Sequence, residues 1–351
     1  MTSRERVRRA LRFENPDRAP RNLWALPGVC NFRKAEHGAM LERFPGDFGD
    51  PAVKYGRSGR SRGDCLAVGD YVDEWGVVWT NGQAGIVGEI KRPILADDAE
   101  LARYRLPWEM LDGADFSRVD ESCAKNERFM KAGTSCRPFE RLQFLRGTEQ
   151  LFLDLAYGTP GVMKLLAQLH EFYVREFEMW AATAVDGVSF MDDWGSQNAL
   201  LISPDMWREI FKPLYAEYCR IARRAGKFVF FHSDGNISAI YPDLIEIGVD
   251  AVNSQLFCMD IEELGRLHKG RITFWGEVDR QHLLPFGTPE EVRAGVRRVR
   301  RSLDDGRGGV IAQCEWGIKD PAENIAAVFE AWDEPLAEVL RPAPAAATAQ
   351  P

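Results

Sequence analysis

The residues best suited to chemistry in this sequence are a histidine and a cysteine that each follow an apolar run. The segment 228–231 reads Phe-Val-Phe-Phe and delivers His232 and Asp234 at its end, while Cys314 closely follows the segment 309–312. Imidazole nitrogen, carboxylate oxygen and thiolate sulfur are all ligands of Zn²⁺, and three protein ligands leave a fourth position for a substrate. We therefore predict a zinc site formed by His232, Asp234 and Cys314.

The same residues have alternative interpretations. His-x-Asp is a weak pattern by itself, and one alternative is that His232 and Asp234 bond to each other and cap the next helix. A second is that Asp234 stays off the metal and acts as a proton donor. Cys258 is a rival thiol ligand, although its Phe-Cys-Met context favours buried packing. The zinc prediction therefore depends on what surrounds these residues in the fold.

Apolar runs that end in polar residues recur through the second half of the chain. Strands alternate with helices over residues 187–339, which predicts a parallel sheet covered by helices. With candidate strands near residues 22 and 130, the pattern predicts a (β/α)8 TIM barrel, in a single domain over residues 1–339. The alternative is an open doubly wound sheet, but the G-x-G-x-x-G motif of a dinucleotide-binding sheet is absent.

The predicted strand ends supply the other candidate site residues, because the C-terminal ends of barrel strands meet at one mouth. Asp193, Asp234 and Glu277 are the predicted catalytic carboxylates. The residues predicted to bind the substrate are Asp192, Trp194, Gln197, Asn253, Gln255 and Trp275. Such a polar set at consecutive strand ends predicts a small-molecule substrate.

Three segments depart from the barrel pattern. Residues 66–95 are predicted to form an inserted antiparallel hairpin, with strands at 71–79 and 86–90 around an Asn-Gly turn. A basic cluster before it, Arg57, Arg60 and Arg62, either holds an acidic substrate or is a solvated face. The Ala/Pro-rich tail, residues 340–351, is predicted to be disordered.

Composition argues against several classes of function. The net charge is −8 and the isoelectric point is near 5.4, which disfavours nucleic acid and anionic membranes as partners. No apolar run approaches the length of a membrane span. Seven cysteines without a C-x-x-C pair, and an N-terminus without an apolar leader, predict a reducing cytoplasmic location. The oligomeric state is left open, a homo-oligomer included.

At these residues the chain resembles the uroporphyrinogen decarboxylase superfamily over nearly its full length, and especially its methyltransferase-like branch. The matching segments are residues 2–11, 16–20, 192–195, 231–235, 241–250, 274–276, 284–292 and 321–325. For that branch, the resemblance implies a zinc-dependent enzyme that moves a methyl group between a small methylated substrate and a corrinoid or thiol acceptor. It also implies a partner protein that carries the corrinoid.

The sequence departs from the methyltransferase pattern at one residue, and this difference changes the expected chemistry of the metal. Those enzymes carry zinc on His-x-Cys and a distant Cys. His232 matches the histidine and Cys314 the distant cysteine, but Asp234 stands in place of the first cysteine. A carboxylate donates less electron density than a thiolate, so the metal becomes a harder Lewis acid. That favours polarising a methyl ether or methylamine over activating a thiol.

The resemblance also implies two alternative functions. Uroporphyrinogen decarboxylases are cofactor-free barrels that grip their substrate with an Arg-Gln-Ala-Gly-Arg loop near the N-terminus. Here the corresponding residues 23–28 read Leu-Trp-Ala-Leu-Pro-Gly, which counts against decarboxylation. A decarboxylase or related carboxy-lyase is the first alternative. The second is a non-catalytic binder of a tetrapyrrole or of a corrinoid protein.

Overall fold

The structure, a computed structural model, describes residues 1–86 and 88–341. Its strands are β1 (Arg21–Ala25), β2 (Phe48–Gly49), β3 (Gly69–Val72), β4 (Val78–Asn81), β5 (Phe129–Gly133), β6 (Gly187–Met191), β7 (Phe228–Ser233), β8 (Ala251–Ser254), β9 (Thr273–Trp275) and β10 (Val310–Trp316). Its α-helices are α1 (Ser3–Arg12), α2 (Pro27–Phe32), α3 (Lys34–Arg43), α4 (Asp98–Arg103), α5 (Glu109–Asp112), α6 (Val119–Ala124), α7 (Pro138–Arg146), α8 (Thr148–Tyr157), α9 (Pro160–Ala181), α10 (Pro204–Ile210), α11 (Lys212–Arg224), α12 (Tyr241–Ile247), α13 (Ile261–His268), α14 (Leu283–Phe286), α15 (Pro289–Leu303), α16 (Ala322–Asp333) and α17 (Leu336–Val339). The tail predicted to be disordered lies outside the described residues from 342 onward.

Eight strands form one parallel sheet in the order β1-β10-β9-β8-β7-β6-β5-β2. The first and last strands of the chain are neighbours, since β1 pairs with β10 along its whole length. Between β1 and β2, Asp47 donates its N–H to the carbonyl of Arg21 (3.0 Å) and accepts the N–H of Arg21 on its carboxylate (2.7 Å). The sheet is therefore a nearly closed barrel, which confirms the predicted TIM barrel and excludes the open sheet.

The apolar run of β7 is buried on both faces, and it shows how the barrel positions its polar residues. Phe230 belongs to an inner cluster within the barrel, whereas Val229 and Phe231 belong to an outer cluster between the barrel and the helices. The inner cluster consists of Val7, Leu11, Phe129, Phe230, Ala251, Trp275 and Ile311. Because side chains alternate along a strand, His232 continues the inner row of β7 and lies at the C-terminal end of the barrel.

The N-terminal helix α1 closes the opposite end of the barrel. Thr2 caps it by accepting the N–H of Glu5, and its stripe of apolar residues places Val7 and Leu11 in the inner cluster. Arg6 on the same helix bonds to the buried carboxylate of Asp47 at 2.7 Å. The C-terminal end is consequently the open mouth of the barrel, as in other TIM barrels.

The predicted insertion is present, but its main turn lies before the predicted one. β3 and β4 form a two-stranded antiparallel sheet. They are joined by a turn over residues 73–77, in which the Asp73 carboxylate accepts the N–H of Val77 at 2.9 Å. This local bonding interrupts the continuous strand predicted over residues 71–79. Thr80 and Glu89, which flank the Asn-Gly pair, also form an antiparallel bridge (2.9 and 3.0 Å). The predicted reversal at Asn81-Gly82 is therefore present, but the pairing there is a single bridge and the two-stranded sheet turns at residues 73–77.

None of the helices within residues 1–86 and 88–341 combines the length and the apolar composition that crossing a membrane requires.

Candidate metal centre and barrel mouth

His232 presents one defined ring nitrogen to the mouth of the barrel. Its Nδ1 lies 2.6 Å from Asn253 Oδ1, and the amide nitrogen of Asn253 donates to the carbonyl of Trp275. The Asn253 oxygen must therefore face the imidazole and accept a proton from Nδ1. In the neutral imidazole, Nε2 then carries the lone pair. This nitrogen lies 3.5 Å from Asp193 Oδ1 and 3.7 Å from Asp234 Oδ1.

These three side chains have the donor set of a metal site. One ligand atom from each of Asp193, His232 and Asp234 lies within 4.8 Å of the other two. Asp234 Oδ1 is buried without a hydrogen-bond partner in the described protein, although buried oxygens normally have one. A neutral imidazole held by a second hydrogen bond, with two carboxylates, fits a divalent metal such as Zn²⁺.

Contact between two glycines holds the acidic side chains together. Asp193 accepts the N–H of Asp234 at 2.9 Å, and Gly195 donates to the carbonyl of Asp234 at 3.0 Å. A Cβ on Gly235 would lie 2.2 Å from the Gly195 carbonyl oxygen, and the φ of Gly235 is +74°. The glycines thus let the loops after β6 and β7 lie backbone to backbone.

Cys314 does not join this cluster, which corrects the predicted ligand set. It belongs to the outer cluster together with Trp316, while Ile311 belongs to the inner one. Side chains alternate along β10, so Glu315 faces the mouth and Cys314 faces the helices. Burial raises the pKa of the Cys314 thiol well above its ordinary value, which disfavours the thiolate a metal needs. Asp193 takes its place as the third candidate ligand.

Arg280 connects the cluster to two further carboxylates. Its Nη2 bonds to Asp234 Oδ2, its Nη1 donates to Glu315 Oε1 at 2.7 Å, and its Nε lies 3.8 Å from Glu277 Oε2. Sequence reasoning missed this arginine, because it lies in a loop and only the fold brings it to Asp234. Glu315 could have been found from the sequence, because it adjoins Cys314 at the end of β10 and neighbouring side chains of a strand face opposite sides.

Glu277 is an acid held in its protonated form. It is buried, and its Oε1 has no partner among the described residues. Burial raises the pKa of Glu277 to about 8, against the opposing effect of Arg280. Together with Gln197 and Gln255, it lines a cleft of about 70 Å³. The structure therefore brings these three predicted site residues into one cleft beside the candidate metal centre.

Two predicted substrate-binding residues lie in the protein interior instead. Asp192 is fully buried and accepts the N–H groups of Phe139 (2.8 Å) and Glu140 (2.7 Å), so it caps helix α7. Trp194 stacks on Phe139 at 4.1 Å and donates to the hydroxyl of Tyr215 at 2.9 Å. Both have structural roles, because the chain folds back over them immediately after β6.

Two more predicted substrate-binding residues lie beneath the mouth. Asn253 and Trp275 are fully buried. Asn253 orients His232, and the Trp275 ring lies 5.1 Å from the ring of Trp24, which in turn lies 5.5 Å from the imidazole of His232. They support the candidate metal centre from below, which corrects their predicted contact with substrate to a positioning role.

The fold and the site define a TIM-barrel protein with a candidate metal centre at its C-terminal mouth. A family model described as uroporphyrinogen decarboxylase (URO-D) matches residues 90–335. The chain belongs to the uroporphyrinogen decarboxylase family, which confirms the superfamily predicted from the motifs. Comparison with curated proteins finds no match.

Solved structures with the same fold include a methyltransferase from Methanosarcina mazei. It is 16% identical, with a TM-score of 0.62 over 95% of this chain and 99% of that chain. A glycosylated endo-β-1,4-xylanase from Gloeophyllum trabeum is 10% identical, with a TM-score of 0.43 over 92% of this chain and 98% of that chain. At these identities the likeness to the methyltransferase concerns the fold.

Proposed function

We propose that this chain is a methyltransferase-like enzyme that moves a methyl group between a small methylated substrate and a corrinoid or thiol acceptor. The observation that carries the proposal is the convergence of His232 Nε2 with carboxylate oxygens of Asp193 and Asp234. Family membership and the barrel shared with a methyltransferase support it. A corrinoid acceptor would arrive on a partner protein at the open mouth.

The residues that would hold Zn²⁺ are Asp193, His232 and Asp234. Bound there, zinc supplies Lewis acidity toward the heteroatom that carries the methyl group. Because the donors are nitrogen and oxygen, the site favours an ether oxygen or an amine nitrogen over a thiolate. Asn253 keeps the proton of His232 on Nδ1, and Arg280 holds one oxygen of Asp234.

Glu277 is the proposed proton donor of the reaction. An oxygen or nitrogen that loses its methyl group gains electron density and must take up a proton. Glu277 carries that proton near neutral pH, because burial raises its pKa to about 8. It lines the cleft beside Arg280, within reach of small molecules that enter the mouth.

The decarboxylase alternative has less support from the arginines that were its candidate substrate clamp. Arg60 lies over the ring of Tyr104 and donates to the carbonyl of Arg105 at 2.8 Å. Arg62 forms a backbone bridge with Val72 of the insertion. These contacts place Arg60 and Arg62 beside the insertion, and they engage the guanidinium of Arg60 there.

Zinc binding tests the proposal most directly. Metal-depleted protein titrated with zinc against a chromophoric chelator should bind one equivalent, and Asp193→Asn, His232→Ala and Asp234→Asn should each weaken binding. Zinc-loaded protein should then convert free cob(I)alamin to methylcobalamin with a methyl ether or methylamine donor. A preparation that takes up no zinc, or a folded His232→Ala variant with unchanged zinc affinity, would reject the proposal.

A further inference from the structure

Three buried side chains around the end of β9 carry polar atoms that have no hydrogen-bond partner in the described protein. These atoms are Oε1 of Glu277, both amide atoms of Gln313 and the indole Nε1 of Trp332. Gln313 is fully buried, while Glu277 and Trp332 are 3% and 6% exposed. Buried polar groups are nearly always hydrogen-bonded, either within the protein or to ordered water. Unpaired atoms on three side chains therefore need a common explanation if they share a space.

One small cavity joins the three side chains. It has a volume of about 10 Å³, lies among β9, β10, α15 and α16, and is lined by Glu277, Gln313 and Trp332 together. The rest of its lining consists of apolar side chains and Gly276. This volume is about that of one water molecule, and a buried water typically makes about three hydrogen bonds. The cavity thus has both the size and the polar groups of a water site.

The glycine before Glu277 brings the Gln313 amide close to this carboxyl group. A Cβ on Gly276 would lie 2.2 Å from Gln313 Oε1 and 2.7 Å from Gln313 Cβ, so only a residue without a side chain fits there. The second oxygen of Glu277, Oε2, lies 3.8 Å from Arg280 Nε. Glu277 and Arg280 both line the cleft of about 70 Å³. The side chain of Glu277 therefore lies between this cleft and the internal cavity that it shares with Gln313.

We propose that the internal cavity binds one water molecule, which joins Gln313 to Glu277 and makes Gln313 a positioning residue for the proposed proton donor. The water accepts the N–H groups of Gln313 and Trp332 on its two lone pairs and donates to Glu277 Oε1. Oε2 is then the oxygen that gives up its proton toward the cleft. A donor at Oε1 stabilises the carboxylate that remains. The catalytic role rests on the proposed function, whereas the water site does not.

A crystal structure of the metal-free, full-length protein, at a resolution that shows ordered waters, tests the site directly. Electron density should show one water within hydrogen-bonding distance of both the Gln313 amide and Glu277 Oε1. A cavity without density overturns the proposal, and so does a water that contacts only one of these two groups. This result does not depend on whether any variant folds.

Urea unfolding of the near-isosteric variant Gln313→Met gives a second test, which depends on the sign of the effect. Loss of the amide should lower the unfolding midpoint, because it removes a hydrogen bond to the buried water. An amide without any partner would instead be costly to bury, so that its removal would raise the midpoint. Gln313→Met should also lower the midpoint less in a Glu277→Met background than in the wild type, because both substitutions act on the same water.

Thr273→Val is the matched control. Thr273 is also fully buried on β9, and its hydroxyl has no partner among the described residues, but it does not line the cavity. Its effect on the midpoint should be the same in the wild-type and Glu277→Met backgrounds. A midpoint raised by Gln313→Met, or an equal effect of Gln313→Met in both backgrounds, overturns the proposal. Since neither zinc nor methyl transfer enters these experiments, their outcome is separate from that of the zinc titration.

Discussion

The side chain of Asn253 allows a sharp test of the candidate metal centre. It accepts the Nδ1 proton of His232 at 2.6 Å and donates to the carbonyl of Trp275. Asn253→Leu keeps a side chain of similar shape but removes both hydrogen bonds. The imidazole then loses the contact that holds its proton on Nδ1 and its lone pair toward Asp193 and Asp234. We expect weaker zinc binding.

The expected loss follows from the two bonds. Removing the hydrogen-bond partner of a metal-binding histidine lowers metal affinity about 10- to 100-fold, or about 1.4 to 2.7 kcal/mol. The change also leaves the Trp275 carbonyl and the His232 Nδ1–H unpaired in the interior, at about 1 to 3 kcal/mol each in the free energy of unfolding. Zinc affinity and stability must therefore be measured separately.

Ser254→Ala is the matched control for Asn253→Leu. It lies one residue away and removes a buried hydrogen bond of 2.6 Å to Tyr241, so it should cost about 1 kcal/mol of stability. It does not contact His232, and its zinc affinity should equal that of the wild type. Zinc competition titrations and urea unfolding give the two quantities. A folded Asn253→Leu protein that binds zinc as tightly as the wild type would refute the role assigned to His232.

We also expect three other substitutions, at Glu277, Arg280 and Cys314, to have defined effects on stability or zinc affinity. Folded Glu277 keeps a proton that the unfolded chain releases between its ordinary pKa of 4.5 and about 8, so wild-type stability falls as pH rises through that range. Glu277→Gln should remove this loss, and urea unfolding should show the variant gaining about 1 kcal/mol per pH unit over the wild type. Arg280→Met removes a cation beside Asp234 and should tighten zinc binding about tenfold in competition titrations; weaker binding would mean that its orientation of Asp234 matters more than its charge. Cys314→Ala should leave zinc affinity unchanged and lower the free energy of unfolding by about 1 to 2 kcal/mol. A large loss of zinc affinity would instead return the thiol to the ligand set.

The barrel was predictable where its strands are apolar runs with helices between them. β6, β7 and β10 read as strands because both of their faces are covered, so apolar residues follow one another. β2 has only two residues, and no periodicity can be detected over so short a segment. Its place is set by pairing, with Phe48 opposite Phe129, and that contact is tertiary.

The errors in the candidate site concern which face of the barrel each side chain points to, and this depends on the pairing register of the strands. Cys314 and Glu315 are adjacent at the same strand end, and the sequence does not say which of them faces the mouth. In the structure, Glu315 pairs with Trp24, whose ring contacts the imidazole of His232, and Cys314 pairs with Leu23. Arg280 was missed for a related reason. Its bond to Asp234 joins residues 46 positions apart, and its own loop has no regular pattern.

Because Gly195 and Gly235 touch through their main chains, the spacing of Asp193 and Asp234 does not depend on the size of the side chains that stand there. A point substitution at Asp234 therefore changes the donor atom while the backbone keeps presenting it at the same place. Asp234→Cys would supply sulfur to an unchanged frame, and would soften the metal toward thiol acceptors. Under the proposed function, the preference for the methyl acceptor would then change at a single codon, without any rebuilding of the barrel around it.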